Sequence, residues 1–120
     1  MTIPSNLVSG GKLPAGTANQ IIGASAIGLT ATGSAQSDAL QLTADVNTVS
    51  TTASSTGVKL PKCEKGAMVV VNNMGAETLA VYPYETSGVT VDSTTSAAIA
   101  TSRAAIFFCT GVNWAFVYGA

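Results

Sequence analysis

Glu77 and Glu85 are the two carboxylates best spaced to act as an acid and base, because they bracket one expected strand. Such a pair needs one carboxyl sheltered from water so that its pKa rises. The tips of a hairpin give no such shelter, so both read as solvated turn residues. Asp38 and Asp45 have opposite strand parity, which sends them to different faces of a sheet. Histidine is absent, and with it go the commonest general base, metal ligand and pH switch. No Ser, Thr or Cys then has an imidazole to activate it. Cys63 and Cys109 are too few and too widely separated for a zinc site. The glycine-rich runs at Gly10-Gly11 and 23–28 lack the preceding strand and following helix of a phosphate loop. The expectation is a protein that is not an enzyme and takes no metal or cofactor.

Recognition chemistry remains. Phe107, Phe108 and Phe116 are expected in a core, as are most of the other aromatics. Tyr84 and Trp114 have a second reading, as a platform for a sugar or a neighbouring subunit. Arg103 is the only arginine and stands just before the apolar run 104–109. Its planar fork suits a bridge across an interface, to Asp92 or Glu85, although a plain surface arginine is the default. Lys59, Lys62 and Lys65 cluster, but Glu64 sits among them, which reads as a solvated loop. With a net charge of −1 the chain lacks the basic footprint of a nucleic-acid binder.

The opening third is the most unusual stretch. Through residues 1–33 the only charge is Lys12, and Gly, Pro, Ser and Thr surround Ile3, Leu7, Val8 and Leu13, then Ile21, Ile22, Ile27 and Leu29. Solvated tails are usually polar and highly charged. This segment reads instead as an extended apolar arm that lies on a surface, with Ile21, Ile22, Ile27 and Leu29 as anchors. Charged residues make up 9% of the chain, against about 25% in an average soluble protein. Little therefore keeps copies apart, and self-association is expected. The apolar stretch 18–29 contains Asn19 and Gln20 and is too short to span a bilayer, so no membrane partner is expected. Pro4, Asn6 and two glycines precede the first lysine, unlike the basic opening of a secretory signal. In an exported protein Cys63 and Cys109 could form a disulfide; in the cytoplasm both would stay as buried thiols.

The elements that must hold these residues are strands. Sixteen threonines and twelve serines disfavour helix, and β-branched residues favour pleated structure. Residues 40–46 alternate apolar and polar, as a half-buried strand does. Val49 falls on the opposite parity, so a bulge or turn is expected near Asn47 and Thr48. Ala39, Leu42, Val46, Val49 and Ala53 also fit a helical stripe, but Thr, Asn and Ser fill the intervening positions. A short strand follows at 57–60. Residues 68–72 and 78–83 read as a hairpin around Asn73-Met74-Gly75-Ala76. Residues 88–92 are a weaker strand and 97–100 are ambiguous, with a short helical turn as one reading. A second hairpin, 104–110 and 114–118, turns at Gly111-Val112-Asn113. Six to eight short strands without a long helix predict an all-β fold: a small antiparallel β-sandwich or a barrel-like, jelly-roll-like domain at 34–120, preceded by the arm at 1–33.

Several short motifs run in a consistent order: LTADVNTVSTTA from Leu42, TGVKLP from Thr56, GAMVVVNN from Gly66, ETLAVYP from Glu77, AIFFC from Ala105 and the closing WAFV from Trp114. From about residue 34 to the C-terminus this series resembles the small β-domain of virion accessory proteins of tailed bacteriophages. The resemblance implies a non-enzymatic capsid decoration (cement) protein or a fibre module, commonly trimeric, with the major capsid protein and sister copies as partners. It implies location in the virion after assembly in the host cytoplasm. The arm lies outside the resemblance, and its docking role rests on composition. The rival expectation is a carbohydrate- or receptor-binding module of a head or tail fibre, using Tyr84 and Trp114; a small secreted enzyme or toxin ranks last.

Overall fold

The computed structural model describes residues 24–86 and 88–118. Among them are nine strands: β1 (Ser25–Thr30), β2 (Leu40–Gln41), β3 (Val46–Thr51), β4 (Gly57–Lys59), β5 (Met68–Asn73), β6 (Leu79–Tyr82), β7 (Ala97–Ile99), β8 (Arg103–Cys109) and β9 (Trp114–Tyr118). A 3-10 turn at Gln36–Asp38 is the one helical element among the described residues. The all-β expectation holds.

The strands form a five-stranded sheet in the order β1-β3-β5-β8-β9 and a four-stranded sheet in the order β2-β4-β6-β7. As far as β6 the chain visits the two sheets in turn, and each new strand lies parallel to the one laid down before it in the same sheet. Ser25 lies beside Val46, and Val46 beside Val70, steps of 21 and 24 residues (46 − 25 and 70 − 46). The first six strands are therefore coils of a flattened solenoid. Antiparallel pairing of β7, β8 and β9 then closes it.

Alternating residues of both sheets point inward and meet in one core. Val49, Val71 and Phe107 come from the larger sheet and Val58, Leu79, Val81 and Ile99 from the smaller, all fully buried. Each coil also needs a corner where the chain changes sheets, and the corner after β5 is built on Asn73. Its buried Nδ2 donates to the carbonyls of Glu77 (2.8 Å) and Ile99 (2.9 Å). Its Oδ1 accepts from the Thr52 hydroxyl (2.8 Å) and the Gly75 N–H (3.0 Å). Gly75 presses so closely on the preceding corner that a Cβ there would stand 2.3 Å from Thr52 Oγ1, which only glycine avoids. A disulfide between Cys63 and Cys109, with Cα atoms 5.6 Å apart, ties the β4–β5 connection to the end of β8. Of the two cysteine states left open by the sequence, the structure has the bridged one.

Several expectations need correction. The sheets are mixed rather than antiparallel, because short links that change sheets bring the chain back in the same direction. Residues 68–72 and 78–83 are not a hairpin: β5 and β6 lie in opposite sheets, separated by the Asn73–Gly75 corner. Residues 40–46 are not one strand, since Leu40 and Gln41 belong to the smaller sheet and Val46 opens a strand of the larger. The parity change at Val49 marks that crossing and not a bulge. Residues 97–99 are a strand and not a helical turn, while 88–92 contribute only isolated bridges at Val91. The β8–β9 hairpin forms as expected, with Cys109 opposite Trp114 and Phe107 opposite Phe116.

Candidate assembly surfaces

The outward face of the larger sheet follows from its register. Val46, Val70, Ile106 and Val117 lie side by side across four strands, with Ser25 continuing the row onto β1. A second row runs Met68, Phe108, Ala115, and a third Thr48, Asn72, Ala104. No charged residue falls in these rows. Apolar exposure is high: Val117 is 61% exposed and Met68 58%, and Val46, Ile106 and Phe108 are also open to solvent. The opposite outer face differs. Gln41, Lys59 and Tyr82 form a row at one end of it, and the Tyr82 ring lies so close over Gly57 that a Cβ there would meet it at 2.8 Å. That face is narrower and partly polar, and its tyrosine ring lies against Gly57.

Among the described residues β1 is an edge strand, paired only with β3. Its register shifts between Ala26 and Leu29, where Gly28 adopts φ +71°, and the bulge turns Ile27 out to 79% exposure. Leu29 packs half-buried against the core, and Ala31 just beyond the strand is buried. Ile27 and Leu29, expected together as anchors, thus have different roles: one faces solvent and the other fastens β1 to the body. Ile21 and Ile22 lie outside the described residues. The chain is already part of the sheet from residue 25, before the expected arm boundary at 33.

Tyr84 is 51% exposed on a pinned loop. Gln36 Nε2 donates to the carbonyls of Pro83 (2.6 Å) and Glu85 (2.7 Å), and Glu85 Oε2 accepts the Cys63 N–H (3.1 Å). Lys59, Tyr84, Glu85 and Thr86 line an open cleft of about 500 Å³ there. Trp114 does not share this surface. It is 1% exposed in the core, so it cannot serve as a platform, and its Nε1–H is buried without a hydrogen-bond partner. Arg103 is exposed at the start of β8, opposite Asn73. Sequence reading missed the uncharged outer face. The signal for it was present in the apolar residues at alternate positions of β5, β8 and β9, but it is legible only once the register is known.

Among the described residues no group of three Cys, Asp or Glu side chains is placed to hold a metal ion, and no helix is long and apolar enough to cross a membrane. No family model, curated protein or solved structure matches the chain.

Proposed function

We propose that this chain is a structural virion protein of a tailed bacteriophage, a capsid decoration protein that self-associates as a trimer and seats on the major capsid protein through its N-terminal segment. The observation that carries this reading is β1. It is an uncharged edge strand with one side unpaired among the described residues, and Ile27 stands out from it. Such edges accept a further strand unless charge or proline blocks them. Anchors alone would be insufficient. Burying an Ile or Leu side chain contributes roughly 1.5–3 kcal/mol, while ordering backbone costs about 1–2 kcal/mol per residue. Main-chain pairing at the β1 edge supplies the remainder.

The test is co-sedimentation of the purified chain with empty heads of the parent phage, comparing the full chain with one lacking residues 1–23. Binding by the full chain and its weakening on truncation, with the remainder held by β1 and Ile27, is the expected result. Equal binding by both would remove the docking role of the N-terminal segment, and no binding by either would overturn the decoration reading. The second reading, a carbohydrate- or receptor-binding fibre module, is favoured by the cleft at Tyr84, whose loop is fixed before any ligand arrives. A glycan-array signal abolished by Tyr84→Ala would establish it.

A further inference from the structure

We infer that the outer face of the five-stranded sheet is the surface through which copies of this chain associate, each meeting the same face of another copy. This rests on the self-association in the reading above and adds a second contact to it: like faces meet about a two-fold axis, so this surface joins copies, or whole trimers, in pairs. Four features select a second copy.

The first is charge. The rows of this face hold no charged side chain, so two copies meet without like charges opposing one another. A contact between identical faces must be self-complementary, and an uncharged apolar face satisfies that condition directly. A charged partner surface or an anionic lipid surface would find nothing here to pair with.

The second is size. The rows hold eleven positions, each about 4.8 Å by 7 Å, a face of roughly 370 Å². Two such faces together reach about 750 Å², the size of a reversible contact that forms as concentration rises. The third is relief. Met68, Ile106 and Phe108 project beside Ala104, Ala115 and Thr48, so large side chains of one copy have shallow places to enter on the other. Sheets pack face to face about 10 Å apart through this kind of interdigitation.

The fourth is contrast within the molecule. The other outer face is narrower, carries Lys59 and has the Tyr82 ring lying against Gly57, so among the described residues the broad uncharged face is that of the five-stranded sheet.

The experiment is sedimentation equilibrium of the full chain and of Val117→Lys and Ile106→Lys, with Ala98→Lys on the opposite outer face as control. Val117 is 61% exposed on the edge strand β9, so its replacement leaves the core intact, and circular dichroism reports the fold of each variant. The wild type and Ala98→Lys are expected to be multimers whose association survives high salt, because no ion pair holds them. Either lysine on the apolar face would be buried unpaired and is expected to weaken association on the order of a hundredfold. A multimeric wild type unaffected by Val117→Lys would overturn the face assignment and leave self-association standing. A wild type that is monomeric at every concentration would overturn both. A monomer that loses head binding on Val117→Lys would give the face to the capsid and overturn the inference as well.

Discussion

At the residue scale, polar side chains set the corners and apolar ones fill between them. Asn73 makes four hydrogen bonds in a site without solvent access. Asn73→Ala would strand the Thr52 hydroxyl, the Gly75 N–H and two carbonyls, and buried groups left without partners cost about 1–3 kcal/mol each before relaxation. A loss of about 3 kcal/mol in urea unfolding is expected; a loss under 1 kcal/mol would mean that the corner rebuilds itself. Asp38 works by charge. It accepts the backbone N–H groups of Ala35 (2.9 Å) and Ser34 (3.0 Å), and these bonds, with Lys59 nearby, hold its carboxyl below the ordinary aspartate range. A depressed folded-state pKa gives stability that is present above the unfolded-state pKa and fades as pH falls through the folded one. Asp38→Asn keeps an acceptor but cannot titrate. The urea midpoint of this variant should therefore fall less steeply between neutral and acid pH than that of the parent, and identical pH profiles would show that Asp38 contributes nothing to acid sensitivity.

At the element scale, β1 decides where the N-terminal segment can be cut. It pairs with β3 from Ser25 to Thr30, and Ala31 and Leu29 pack on the core. Removing residues 1–23 should leave the urea midpoint nearly unchanged, whereas removing 1–33 strips a strand and exposes the β3 edge. The second truncation should lower the midpoint clearly and promote aggregation; equal midpoints for the two would mean that β1 adds nothing to the body. The boundary at 33 was read from composition, and composition changes only after β1 has ended. Strand positions were largely legible, because period-two alternation reports one buried face. Strand pairing was not. Alternation looks the same in parallel and antiparallel neighbours, and a short link such as 74–78 fits a hairpin as well as a corner. The clue was the parity break between Leu42 and Val49, which a bulge explains locally and a change of sheet explains globally. Gly75 was read as turn chemistry, though its close contact with Thr52 depends on a residue of the preceding coil. Trp114 was assigned to both core and surface because an aromatic at a hairpin start fits either place; its partner Cys109, facing inward, settles the matter.

At the scale of the whole molecule, two kinds of construction are joined. The coils from β1 to β6 grow by parallel stacking, and β7 to β9 finish the stack with antiparallel strands. The Cys63–Cys109 bridge crosses that join, linking a loop between coils to the last residue of β8. Backbone bonds accompany it, with the Cys109 N–H donating to Ala67 and the Gly66 N–H donating to Cys109. A loop closed over a sequence separation of 46 restricts the unfolded chain by about 4 kcal/mol in the chain-entropy description. Such a bridge persists in oxidising surroundings and is reduced in the cytoplasm of most cells. The Cys63→Ala/Cys109→Ala double variant should therefore unfold at lower urea by an amount near that value, and the reduced parent should follow it. Hydrogen exchange should place the loosening at 61–67 and at the β8–β9 hairpin, with β3 and β4 least affected, since the bridge holds the cap to the coils and not the coils to one another. Uniform acceleration across every strand would instead show that coils and cap unfold as one unit regardless of the bridge, and that the sulfurs contribute only to overall stability.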